Sequence, residues 1–208
     1  MRSEFRSSRL KNYWKKPKTC ALFEHEYEIE VTDQQWKEMA QNVETCLGNF
    51  YASDIYANLK SHGKAGWLEV EEFSSFNLDS IKINVVIDCA VKGENGIVIY
   101  DWKTGKNLSE DLSVQLCSYA FYAMEKWHIP PDSMQVVEYN LQSNKANSFS
   151  VTMAEVEGIK GYIKGSVKDM QSLLKDPENN IPLPEDQFTK VEDEQVIGRC
   201  NFRKVCRG

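Results

Sequence analysis

Apolar side chains first settle into a helical rhythm after residue 32. Trp36, Met39, Ala40, Val43, Leu47 and Phe50 recur at three- and four-residue spacing, which predicts one buried stripe on a helix. Thr32-Asp33-Gln34-Gln35 in front has the form of a capping box, so the helix is expected to start near Thr32. Cys46, inside it, reads as a small core-side thiol. The rhythm breaks over residues 61–66, and strand-like runs follow at 67–73, 81–90 and 97–102. Ile97-Val98-Ile99-Tyr100 is apolar at both parities, as expected of a central strand covered on both faces. Residues 92–96, Lys-Gly-Glu-Asn-Gly, supply the turn of a hairpin. Ser109-Glu110-Asp111 is expected to cap a second long helix, with Leu112, Leu116, Tyr119, Ala120, Ala123 and Trp127 as its stripe and Pro130-Pro131 ending it. Strands at 134–141 and 148–152 and a helix at 154–174 complete the pattern, and the tail reads as irregular from 176 to 194. This order predicts an α/β (α+β) fold, a sheet flanked by helices.

At 208 residues and 41% hydrophobic content the chain can bury one substantial core, and no linker or repeat divides it, so one domain over 1–208 is expected. No stretch reaches membrane-spanning length and the N-terminus lacks a signal-type apolar run, which points to a soluble, cytoplasmic protein with no membrane partner. Its six cysteines suit that compartment as thiols or metal ligands. The net charge of -6 argues against a general nucleic-acid coat but hides an asymmetry. Of 25 basic and 31 acidic residues, seven basic ones face Glu4 alone in 1–18, leaving 18 basic and 30 acidic in the remainder. That arm, with Tyr13 and Trp14, could track a phosphate backbone or be a solvated tail.

The hairpin gives meaning to two aspartates far apart in sequence. Pairing about a short turn near residues 94–96 makes cross-strand position numbers sum to about 189 or 191, placing Asp88 opposite Asp101 or opposite Lys103. In either register Asp88, Asp101 and Lys103 share a face. Two carboxylates meeting where apolar strands end repel each other and lose hydration, and a hard divalent cation relieves both penalties. Lys103 adds a positive charge that could stabilise a scissile phosphate. Phosphodiester hydrolysis suits this set, although a structural Asp88–Lys103 salt bridge with Asp101 merely ending a strand would use the same residues.

The run from Ile83 to Tyr119 resembles the PD-(D/E)XK nuclease superfamily, within it the RecB-like branch that includes the AddB nuclease domain and the CRISPR-adaptation exonucleases. The resemblance rests on Ile87-Asp88, the hairpin, Ile99-Tyr100-Asp101-Trp102-Lys103-Thr104-Gly105-Lys106, and Gln115-Leu116-Cys117-Ser118-Tyr119. It implies a restriction-endonuclease-like core with a mixed central sheet, Asp88 and Asp101 as ligands of Mg²⁺ or Mn²⁺, Lys103 as the catalytic lysine, and Gln115 and Tyr119 lining the site. Among Glu69, Glu71 and Glu72, Glu71 best resembles the family's further acidic ligand; Glu69 and Glu71 are expected on one strand face and Glu72 on the other. Two features depart from the branch. Its upstream Gly-x-x-x-His helix is missing, since His25, His62 and His128 are isolated, and Ile197 stands where the Cys-x₂-Cys-x₅-Cys ending has its first cysteine. Cys20, Cys200 and Cys206 are then a remnant set, and no iron–sulfur cluster is expected. The resemblance implies a metal-dependent DNA exonuclease of repair, recombination or phage DNA metabolism, working with DNA and with a helicase or other repair protein. The alternative is a catalytically impaired DNA- or partner-binding subunit of such a complex.

Overall fold

The computed structural model describes residues 22–105 and 110–207. In chain order the elements are helices α1 (Phe23–Glu26), α2 (Asp33–Ala52) and α3 (Asp54–Ser61), then strands β1 (Trp67–Glu69), β2 (Phe73–Leu78), β3 (Ile81–Val86), β4 (Cys89–Gly93) and β5 (Gly96–Lys103). Helix α4 (Val114–Trp127), strands β6 (Met134–Asn140) and β7 (Lys145–Ser150) and helix α5 (Met153–Ser172) follow. Strands β8 (Leu174–Asp176) and β9 (Ile181–Pro182) and helices α6 (Glu194–Arg199) and α7 (Arg203–Arg207) end the chain. Residues 41–168 form one compact unit, and 22–40 with 169–207 belong to a second.

In the first unit a five-stranded sheet runs in the order β1-β4-β5-β6-β7. The β5–β6 pair is parallel and the other neighbours are antiparallel. A parallel pair needs a crossover, and α4 supplies it. The sheet is covered on both faces, as the apolar run at 97–100 predicts. Ile97 and Ile99 pack with Leu116, Tyr119, Ala120 and Ala123 of α4. Tyr100 and Val137 pack on the other side with Cys89, Val91 and Leu59 of α3. This is the mixed α/β architecture expected from the sequence.

The expected strand at 81–90 is two strands. Ile81–Val86 pairs with Phe73–Leu78 in a separate two-stranded ribbon, while Cys89–Gly93 joins the main sheet. Ile87 and Ala90 lie in the same α4-facing cluster. In an unbroken strand their opposite parity would send them to opposite faces, so the bend at Asp88 resets the alternation. Strand β2, which lies between the expected runs at 67–73 and 81–90 and was missed from the sequence, exists because this ribbon caps the α4 face: Phe76 meets Phe121 edge-on at 4.9 Å.

The helix starts divide by how local their signals are. The Thr32 box closes: Thr32 N donates to Gln35 Oε1 (2.8 Å) and Gln35 N to Thr32 Oγ1 (3.3 Å). On α2, however, Met39 and Leu47 are exposed and Cys46 is buried, so the stripe is narrower and rotated from the predicted one. Helix α4 is capped by Ser113, whose Oγ accepts from Leu116 N at 3.2 Å, and not by the Ser109-Glu110-Asp111 segment, of which Ser109 lies outside the described residues. The tail expected to be irregular holds the short β8–β9 pair and a 3₁₀ turn at Glu185–Gln187. In the second unit Tyr27 OH donates to the Asn201 carbonyl (2.5 Å), Lys204 pairs with Glu26 (2.8 Å) and the Arg203 guanidinium lies over the Tyr27 ring. Among the described residues no helix is long and apolar enough to cross a membrane.

Candidate active site

Asp101 sits near the C-terminal end of β5 on the α4 side of the sheet, with Lys103 following on the same face. The β4–β5 register is the lower of the two the hairpin allows: Cys89 pairs with Tyr100 and Gly93 with Gly96, with Glu94 and Asn95 in the turn. Asp88, one residue before β4, continues that register toward Asp101. Its Oδ2 accepts the Trp102 amide at 2.8 Å, so a backbone donor fixes its carboxylate against β5. Trp102 is on the far face, stacked on Tyr100 at 5.2 Å and edge-on to Phe50 and Tyr139. That aromatic packing anchors the strand end from which the site projects.

A chain of polar contacts crosses from β5 to α4. Lys103 Nζ lies 2.6 Å from Asp101 Oδ2 and donates to Gln115 Oε1 at 2.8 Å; Gln115 Nε2 donates to Tyr119 OH at 2.7 Å. Gln115 and Tyr119, four apart, are neighbours on one face of α4. The register therefore does not create an Asp88–Lys103 salt bridge with Asp101 idle: the lysine bridges Asp101 to the helix. The buried Asp101 Oδ2 thus has the Lys103 ammonium as its ion-pair partner.

The electrostatics follow from burial. Burial pushes the Asp101 carboxyl above the usual carboxylate range, Lys103 opposes that, and the charges of Asp88 and Glu138 add to it. Burial likewise pushes the Tyr119 phenol up to about 12; Gln115 opposes that, and the Asp101 and Asp88 charges add to it. Tyr119 is thus a neutral phenol at physiological pH. Glu138, which the sequence reading missed, is the parallel partner of Asp101 and almost fully buried. Its signal was present: on a strand from Met134, period two puts Glu138 on the face of Met134 and Val136. Asn140, fully buried, donates to the Gly105 carbonyl (2.6 Å) and accepts from Ser143 N, steadying the chain just after Lys103.

The acidic residues after Trp67 do not share a face. Strand β1 ends at Glu69, so the alternation that would align Glu71 with it stops. Glu69 is buried against α4, its Oε2 accepting from Tyr122 OH (2.7 Å) and Lys126 Nζ (2.6 Å). Glu71 is exposed at φ 46°, with its amide donating to the Ile87 carbonyl at 2.9 Å, one residue before Asp88. Among the described residues no three His, Cys, Asp or Glu side chains form a group set to hold a metal ion. Two carboxylates that repel each other, with Asp101 buried at the end of β5, still fit a hard cation that takes its other ligands from water and phosphate. Cys20 and the basic arm at 1–18 lie outside the described residues, as does the side chain of Cys206; Cys200 Sγ accepts from Phe202 N at 3.3 Å.

No curated protein matches the chain. A family model described as the PD-(D/E)XK nuclease superfamily matches residues 7–207, a span holding Asp88 and the Asp101-Trp102-Lys103 triplet at a strand end. With the mixed five-stranded sheet on which those residues converge, the chain belongs to the PD-(D/E)XK nuclease superfamily.

Proposed function

We propose that this chain is a Mg²⁺- or Mn²⁺-dependent deoxyribonuclease, an exonuclease of the RecB-like branch similar to the CRISPR-adaptation exonucleases. It would act in DNA repair, recombination or phage DNA metabolism, beside a helicase or other repair protein. The observation that carries the reading is Lys103, held between Asp101 and Gln115 at the end of β5. Asp88 and Asp101 would hold the cation, which would take its other ligands from water and the substrate phosphate. When bound, the cation would polarise the phosphoryl oxygen and acidify water.

The protein's own residues divide the remaining work. Lys103 carries the charge that offsets negative charge developing on the scissile phosphate. Gln115 keeps the ammonium at the site and Tyr119 fixes the amide of Gln115. The Trp102 amide keeps the Asp88 carboxylate pointed at β5. The cysteine remnant plays no part in this chemistry, and no iron–sulfur cluster is invoked.

The test is cleavage of end-labelled single- and double-stranded DNA with Mg²⁺, Mn²⁺ or EDTA, comparing wild type with Asp101→Ala and Lys103→Ala. Metal-dependent degradation from an end, lost in both variants, supports the reading. Absence of cleavage with either metal, or cleavage indifferent to both substitutions, would sink it. DNA binding without turnover would instead identify an impaired binding subunit.

A further inference from the structure

The β2–β3 ribbon presents two unlike faces. Burial alternates along both strands, with Phe76, Leu78 and Val85 turned toward α4. The outward cross-strand pairs are Phe73–Val86, Ser75–Asn84 and Asn77–Lys82. All six residues are exposed, and Phe73, at 76%, is the most exposed aromatic ring among the described residues. A bare aromatic ring at the end of a short polar ribbon has no role in the core. The ribbon is rooted at the candidate site: the Glu71 amide bonds the Ile87 carbonyl, so β2 leaves two residues after one partner of that bond and β3 ends one residue before the other. Val86, the partner of Phe73, therefore lies two residues from Asp88, a reach of about 7 Å in extended chain. Val86 also lines a cavity of about 290 Å³ whose walls include Gln115, Tyr119, Phe76 and Ile83.

From these juxtapositions we infer that the outer face of the β2–β3 ribbon is a platform for single-stranded nucleic acid, with an unpaired base stacked on Phe73 beside Val86. Ser75, Asn84 and Asn77 face the strand with hydrogen-bonding groups, and Lys82 meets its phosphates. Base–aromatic stacking is indifferent to sequence, so the platform selects for an unpaired strand and not for particular bases. The inference rests on the proposed function, since it names the substrate form delivered to Asp88, Asp101 and Lys103.

The experiment measures binding and cutting separately on the full chain. A fluorescein-labelled oligothymidylate is titrated in EDTA and followed by anisotropy, with wild type, Phe73→Ala, Phe73→Leu and Phe73→Trp. Phe73→Ala and Phe73→Leu should weaken binding by about five- to 150-fold, the range expected for loss of one stacked base, and Phe73→Trp should restore it. An oligonucleotide carrying 2-aminopurine should be quenched on binding wild type and not Phe73→Ala. Unchanged affinity in Phe73→Ala, or leucine serving as well as tryptophan, overturns the platform. Equal losses for a duplex of the same sequence overturn it too. Binding that depends on Phe73 in a protein that never cleaves would leave the platform standing and remove the nuclease reading. Metal-dependent cleavage with Phe73-independent binding would do the reverse.

Discussion

Gln115 and Tyr119 are arranged in series, and a series makes a quantitative prediction that a cluster does not. Gln115→Ala deletes the acceptor 2.8 Å from the Lys103 ammonium and leaves the lysine held by Asp101 alone. Hydrogen bonds to charged groups contribute about 1.5–3 kcal/mol when sheltered. Here the Lys103 side chain is 32% exposed and Gln115 itself is exposed, so water replaces part of the loss. About 0.5–1.5 kcal/mol remains, a fall of about two- to twelvefold in the chemical step. Tyr119→Phe removes only the group that orients the Gln115 amide, and should slow the step by about two- to threefold. If Tyr119 acts through Gln115, the double variant is no slower than Gln115→Ala, and the coupling term equals the whole Tyr119→Phe effect. The assay is single-turnover cleavage of labelled single-stranded DNA with enzyme in excess and saturating metal, with melting temperatures confirming that each variant folds. Multiplied effects in the double variant, or a Tyr119→Phe slower than Gln115→Ala, would refute the serial arrangement.

Four other outcomes follow from contacts within the same unit. Mn²⁺ at one hundred times its dissociation constant should stabilise the wild type by about 2.7 kcal/mol, a melting shift of about 5–11 °C, and Asp101→Asn should lose that shift. Because the Asp101 carboxyl is held above its ordinary range, the folded state binds that proton more tightly than the unfolded chain, and stability falls as pH rises through the folded value. Metal-free Asp101→Asn should therefore melt above wild type at neutral pH, the gap closing below about pH 4. Gly96 has φ 151° and a Cβ there would overlap the Ser133 carbonyl, so Gly96→Ala should cost about 2–5 kcal/mol in urea denaturation. Lys126→Met strands the buried Glu69 carboxylate; with Lys126 36% exposed the cost should be about 2–4 kcal/mol, and adding Glu69→Gln should recover most of it.

What the sequence by itself determined is what local physics controls. The period of apolar residues located the helices α2, α4 and α5 and the doubly covered β5, because side-chain spacing along one element needs no distant partner. The Thr32 capping box is legible for the same reason, all its groups lying within four residues. Tight-turn chemistry at 92–96 made a hairpin, and either of its two registers sufficed to direct Asp88 toward the face that Asp101 and Lys103 share.

What tertiary structure decided depends on which surface each element meets. The bend at Asp88 is invisible in an unbroken apolar alternation, yet it divides one strand between two sheets and frees Asp88 to take the Trp102 amide. Cys46 is buried as the sequence led one to expect, but the exposure of Met39 and Leu47 on the expected stripe of α2 depends on what the helix packs against and not on its amphipathicity. Glu138 meets Asp101 through a parallel pairing that only the α4 crossover establishes. Glu69 and Glu71 part because β1 stops between them. The triplet at the end of β5 could be read from the chain, and the resemblance named Gln115 and Tyr119; the contacts that tie Lys103 to Gln115 and bring Glu138 beside Asp101 could not, since contacts between segments far apart in sequence are settled only when the sheet closes.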